Sequence, residues 1–243
     1  MMSSQPPDYP VDPRRSAAAE RFPSRIGPLR AAMRRRFRGL LFLLFGPAQL
    51  ARQTQLAILP VPPKHILFLG DSITDFGMWH EWFSGVPTVN RGIGGETTEQ
   101  VLDRIDIVIN APLAVFLLIG TNDISGAIAT SDIVGNLRAI VKAIQSRAPG
   151  APIFVQSIMP RTLKYREEIS HLNRLYREVA AEAGASVTYV DLWPALATPA
   201  GAMHPDLTED NVHLNGEGYR AWVEVLRPII SNLTNSTPSI GQS

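Results

Sequence analysis

The stretch His65-Ile-Leu-Phe-Leu-Gly-Asp-Ser-Ile-Thr74 decides the fold. Its apolar run continues unbroken to Leu69 and stops at Gly70-Asp71-Ser72. A short run of large apolar residues closed by turn residues reads as a strand buried on both faces. Four further runs of this kind follow, at Thr88–Asn90, Ala114–Ile119, Ile153–Gln156 and Val187–Val190. Between and after them, helical patterns cover Trp79–Phe83, Thr98–Ile109, Ile133–Arg147, Glu167–Ala183 and Gly216–Ile230. Thr97-Thr98-Glu99-Gln100 reads as a capping box, and Ser131 and Asn215 stand at expected cap positions. Strands alternating with helices, joined by right-handed crossovers, predict a three-layer α/β/α sandwich on a five-stranded parallel sheet. No internal repeat is present.

The chain has 243 residues, room for one sizeable α/β domain with an appendage or for two small domains. Without cysteine it has no disulfide, no thiolate nucleophile and no cysteine-ligated metal. Its net charge of +1 hides an asymmetry. Residues 1–58 hold ten Arg against three acidic residues, a net +7, and the remainder is −6 with 13 basic and 19 acidic residues. The globular part is therefore mildly acidic, which argues against nucleic acid as its partner.

Residues 1–28, rich in Pro, Ser, Arg and Ala, are expected to be disordered. Residues 29–58 are expected to form a basic amphipathic helical arm, with Leu29, Met33, Phe37, Leu40, Leu41 and Leu44 at helical spacing. Three readings of the arm compete: a helix packed on the catalytic domain, an interfacial helix making peripheral membrane contact, and a signal peptide starting at Met33. Its apolar stretch, Leu40 to Phe45, is too short to span a bilayer, which takes about 20 residues. The expected compartment is cytoplasmic, with membrane association and secretion as the alternatives. Residues 59–232 form the expected catalytic domain and 233–243 a flexible tail.

The polar clusters of the domain share a placement. Gly70-Asp71-Ser72 follows the first strand, Asn90-Arg-Gly-Ile-Gly-Gly-Glu96 the second, and Gly120-Thr-Asn-Asp123 the third. Asp210-Asn-Val-His213 lies in the last loop, after the fifth. All four fall on one edge of a parallel sheet, where open α/β proteins build their sites. Ser72 with a distant Asp210-x-x-His213 supplies a hydroxyl nucleophile, a base, and a carboxylate that orients the base. The G-x-S-x-G form of serine hydrolase is absent.

These four segments resemble the consensus blocks of the SGNH (GDSL-type) esterases and lipases. Ser72 matches in GDSIT, Gly95 in NRGIGGET, Asn122 in GTND and His213 in DNVH. The resemblance covers roughly Lys64 to Ile230 and implies a flavodoxin-like α/β/α fold. Ser157-Ile-Met-Pro-Arg161 and Asp191-Leu-Trp-Pro194 further resemble the branch that contains platelet-activating-factor acetylhydrolase-like enzymes. Glu96 departs from the family, which often has Asp there. By this resemblance, Ser72 attacks the ester carbonyl, and its own N–H, aided by a following helix dipole, joins Gly95 N–H and the Asn122 amide as the oxyanion hole. His213 carries the proton and Asp210 orients it. The implied substrate is a small-molecule ester, its acyl group short, with acetyl expected, and its alcohol a sugar, a lipid or another small alcohol. No cofactor and no metal are implied.

Blander readings stand beside these. Ser72 alone reads as a helix N-cap, and Asn122 alone as a turn residue. Gly92, Gly94 and Gly95 fail the dinucleotide frame because Thr97 holds its last position. Asp71 and Asp123 are expected to hold loops. His204, with Asp206 nearby, is the rival base; His65, His80 and His171 lack a comparable carboxylate. No metal-ligand spacing is evident. Trp79, Trp82 and Phe83 are expected mostly in the core, with one of them near the acyl or leaving group. An O-acyltransferase using the same Ser and His, and a non-catalytic ligand-binding module, remain open alternatives.

Overall fold

A computed structural model describes residues 46–235. The expected disordered segment, the arm up to residue 45 and the tail from 236 lie outside the described residues. In chain order the principal elements are α1 (46–58), β1 (Ile66–Gly70), α2 (Ser72–Asp75), α3 (Trp79–Trp82), β2 (Thr88–Gly92), α4 (Thr98–Asp103), α5 (Ile105–Val108) and β3 (Ala114–Leu118). Then come α6 (Thr121–Ser125), α7 (Thr130–Arg147), β4 (Ile153–Gln156), α8 (Arg166–Glu182), β5 (Val187–Val190), α9 (Trp193–Leu196) and α10 (Gly216–Asn235). The five strands are all parallel, in the order β2-β1-β3-β4-β5. Strand order reverses between β1 and β3, so the crevice expected for a ligand opens at the ends of those two strands.

Alternation within each strand sends successive side chains to opposite faces. Leu67, Leu69, Val115, Leu117 and Val155 pack with Val101, Leu137, Ile140 and Leu172 from α4, α7 and α8. Ile66, Phe68, Phe116 and Phe154 pack with Trp79, Leu196, Trp222 and Leu226 from α3, α9 and α10. Both faces of β1 and β3 are covered, which is why these two central strands read as apolar runs. Phe68 stacks on Trp79 at 3.9 Å between ring centroids, and Trp79 meets Trp222 edge-on at 4.7 Å. Trp222 donates through Nε1 to the buried Gln156 Oε1 at 2.7 Å, so neither polar atom of the pair is stranded in that core.

The differences from the sequence expectation have local causes. The single helix expected over Thr98–Ile109 breaks at Arg104, whose guanidinium turns inward to the fully buried Glu96 at 2.6 Å and to the Arg91 carbonyl at 2.8 Å. Ser131 caps nothing: α7 starts one residue earlier, behind Ala129, and the Ser131 hydroxyl lies 3.5 Å from Asp132. Asn215 does cap α10, accepting from Gly218 N–H at 3.1 Å. Helix α10 continues past Ile230 to Asn235, into the start of the expected tail. The short helices α2, α6 and α9 give no periodic signal at four or five residues each. Among the described residues no helix is long and apolar enough to cross a membrane.

Candidate active site

Strand β1 delivers the chain to Asp71, and Asp71, not Ser72, is the N-cap of α2, its Oδ1 accepting from Ile73 N–H at 3.0 Å. That assignment frees the Ser72 hydroxyl, which lies 2.9 Å from His213 Nε2. The bonded pair is 141 positions apart in sequence. Helix α2 has only four residues, so the expected dipole reduces to the local N–H groups of one turn. Tyr219 of α10 donates to the Ile73 carbonyl at 2.7 Å and ties α2 to the helix that follows His213.

The candidate base, His213, is preset by its own loop. Asp210 Oδ1 accepts from the N–H groups of Val212 (2.8 Å) and His213 (2.7 Å), and Oδ2 lies 2.6 Å from His213 Nδ1. Thr208 adds a hydroxyl bond to the His213 carbonyl at 2.6 Å. With Nδ1 facing a carboxylate, the proton belongs on Nδ1 and Nε2 accepts from Ser72. Partial burial pushes the Asp210 carboxyl upward, but the bonds from the His213 ring and from both N–H groups outweigh it and hold the pKa at about 2. Asp210 therefore stays an acceptor at neutral pH.

Gly95 sits at φ 79°, a left-handed conformation that costs a residue with a side chain free energy. A Cβ on its neighbour Gly94 would stand 3.8 Å from Ser72 Cβ, so this segment lies against the serine. A Cβ on Gly92 would overlap the Asp75 backbone, and that close approach seats β2 against α2. Asn122, in the first turn of α6, donates one amide hydrogen to the Glu96 carbonyl at 2.9 Å and keeps the other. Asp123 holds the next loop, accepting from Thr98 hydroxyl at 2.6 Å and Thr98 N–H at 3.0 Å. The blocks after β1, β2 and β3 are thus bonded to one another, and the loop before α10 joins them through His213.

The rival base is elsewhere engaged: His204 Nδ1 accepts from Asp206 N–H at 3.4 Å. His80 lies 3.5 Å from Glu81, and His171 faces Arg174 at 3.2 Å. Trp79 and Phe83 are buried in the core as expected, and Trp82 packs against it. The aromatic beside the base is Phe76, which sequence reading did not single out; its ring centroid is 5.4 Å from that of His213 and it is 59% exposed. A lone aromatic after a four-residue helix carries no pattern that marks it.

Buried carboxyls underlie the site. Burial pushes Asp71 up to about 7, against the Ile73 N–H bond and reinforced by the charges of Asp123 and Glu96. Burial likewise raises Asp123 to about 6, against its bonds from Thr98. A carboxyl raised above its unfolded value, about 3.9, binds more protons folded than unfolded within that window. Stability should therefore fall as pH rises from about 4 to about 7, by at most about 4 kcal/mol from Asp71. Asp71→Asn keeps the acceptor for Ile73, and urea unfolding at pH 5 and pH 8 should differ less for it than for the parent. An unchanged difference would remove Asp71 as the source.

A model of the GDSL-like Lipase/Acylhydrolase family matches residues 68–221. Platelet-activating factor acetylhydrolase IB subunit alpha2 of Rattus norvegicus is 30% identical over 188 residues, covering 73% of this chain and 81% of that protein. A solved structure from Streptococcus pneumonia superposes with a TM-score of 0.71 at 29% identity, over 82% of this chain and 99% of that one. A GDSL-like lipase from Bacteroides thetaiotaomicron gives a TM-score of 0.62 at 27% identity, over 76% and 97%.

Proposed function

This chain belongs to the GDSL-like lipase/acylhydrolase family and is a serine ester hydrolase, and from that premise we propose that it removes a short acyl group, acetyl above all, from a lipid, sugar or small alcohol. The observation that carries the reading is the bonded chain Ser72–His213–Asp210 at 2.9 and 2.6 Å. The acetyl assignment rests on the relatives' name, platelet-activating factor acetylhydrolase. In the proposed reaction Ser72 Oγ attacks the ester carbonyl as its proton passes to His213 Nε2. The carbonyl oxygen becomes an oxyanion, met by the N–H groups of Ser72 and Gly95 and by the free Asn122 amide hydrogen. Collapse breaks the bond to the alcohol, which leaves with the His213 proton. Water, deprotonated by His213, then attacks the acyl-serine, and the carboxylic acid departs as Ser72 regains its proton.

Hydrolysis is favoured over transfer to another alcohol by the openness of the base, for the His213 side chain is 38% exposed and water reaches it directly. The retained Ser72–His213 bond weighs against a non-catalytic binding module. An ester panel varying acyl chain and alcohol separately, with Ser72→Ala as blank, tests the assignment. Acetyl esters should turn over fastest, and a rate that rises steadily to long acyl chains would refute it. Phe76, an apolar wall beside the proton donor to the leaving group, should favour apolar alcohols. Phe76→Ala should lower kcat/KM for aryl acetates by about tenfold relative to a hydrophilic sugar acetate, roughly the worth of one lost apolar contact. An equal loss on both would exclude the alcohol side as its place.

A further inference from the structure

We propose that Arg52 is a positioning residue of the oxyanion site: α1 braces the Gly92–Glu96 segment and thereby fixes the aim of the Gly95 N–H at the reacting carbonyl. The proposal rests on the serine-hydrolase reading above and goes beyond it, because α1 (46–58) lies outside the 68–221 stretch matched by the family model.

The bracing is made by successive side chains on one face of α1. Arg52 Nε forms an ion pair with Asp75 Oδ1 at 3.0 Å, and its N–H donates to the Gly92 carbonyl at 3.3 Å. Asp75 ends α2, the helix that Ser72 begins, and Gly92 ends β2, which leads to Gly95. One guanidinium therefore ties the nucleophile's helix to the oxyanion strand. Gln53 donates to Glu96 Oε1 at 3.4 Å, on the far side of Gly95, and Gln49 Nε2 would stand 4.0 Å from a Cβ placed on Gly95 itself. Leu56, 4% exposed, anchors the helix in apolar surroundings.

The Arg52–Asp75 pair is not an ordinary surface bridge, which contributes little. Its side chains are only 28% and 19% exposed. Burial raises the Asp75 carboxyl, while the Arg52 charge and the Gly94 N–H favour its ionised form. Removing Arg52 leaves that carboxylate half-buried without its cation and lets Asp75 and the Gly94 amide shift together. Gly95 is the next residue, with a left-handed conformation that no side chain of its own restrains. Arg104, on the inner side, holds Glu96 and the Arg91 carbonyl. The segment is thus gripped from the core by Arg104 and from outside by α1.

The test uses the full chain. kcat and KM for p-nitrophenyl acetate, and the rate at which a fluorophosphonate labels Ser72, are measured for the parent, Arg52→Ala and Arg52→Lys. A misaimed donor costs a rate factor short of its complete loss, so Arg52→Ala should lower kcat by about 10- to 100-fold with KM little changed. Labelling should slow by a similar factor, because phosphonylation uses the same oxyanion donors. Arg52→Lys, which keeps a cation for Asp75, should recover most of both rates. Far-UV circular dichroism and assay below the thermal midpoint ensure that folded protein is compared. Parental kcat and labelling rate in Arg52→Ala, with only a lower thermal midpoint, would overturn the proposal, as would a rise in KM alone. A parent that labels at Ser72 but hydrolyses no ester would count against the esterase reading, and the labelling rates would still decide Arg52.

Discussion

Ser72→Ala should lower kcat on an acetyl ester by about a million-fold, leaving only what binding and oxyanion donors achieve without a nucleophile. The size follows from the arrangement around the hydroxyl. Asp71 takes the capping duty, so among the described residues the Ser72 hydroxyl bonds to His213 Nε2 alone, at 2.9 Å. Substitution removes the proposed nucleophilic oxygen and leaves the cap, β1 and the bond from Tyr219 to the Ile73 carbonyl in place. The variant should fold as the parent does. Its thermal midpoint should stay within a few degrees, since loss of one hydroxyl with an 8% exposed residue changes little packing. Steady-state hydrolysis of p-nitrophenyl acetate, corrected for the uncatalysed rate, makes the measurement. Turnover within tenfold of the parent would mean that another group attacks the ester.

His213→Ala should cost nearly as much, and the double variant Ser72→Ala/His213→Ala no more than either single one. Groups that act as a unit are not additive, because the serine is a poor nucleophile once its base is gone. The loop around His213 is largely independent of the ring: Thr208 bonds the His213 carbonyl, and Asp210 Oδ1 holds two N–H groups. The imidazole can therefore be removed with its frame retained. A loss of about 10⁶ in kcat corresponds to about 8 kcal/mol of transition-state stabilisation. If His204 were the base instead, His213→Ala would keep most activity and His204→Ala would lose it. The 3.4 Å bond from Asp206 N–H to His204 Nδ1 engages that ring in its own turn.

The sheet was legible because its inner strands β1, β3 and β4 are buried along their length and so consist mainly of apolar runs; β4 and β5 begin and end where the runs do. The four polar blocks were legible for a related reason. In a parallel sheet every strand ends on the same edge, so residues after strands converge whatever their separation in sequence. Arg104 was not legible, because a helical pattern cannot show that a buried carboxylate will break it. Phe76 and Arg52 were not legible either. One is an exposed aromatic with no repeat, and the other one of ten arginines in a basic segment where packing on the domain and contact with lipid both fit and no single arginine stands out. Arg52 turned inward because Asp75 and the Gly92 carbonyl wait there, a fact of tertiary placement.

The central claim is that Ser72 becomes covalently acylated. Incubating the protein with a fluorophosphonate, following residual esterase activity, and mapping the adduct by peptide mass spectrometry tests it most directly. One adduct is expected, on the oxygen of Ser72, with activity lost in proportion to its occupancy. An adduct on a different residue, or full activity with Ser72 fully labelled, would contradict it.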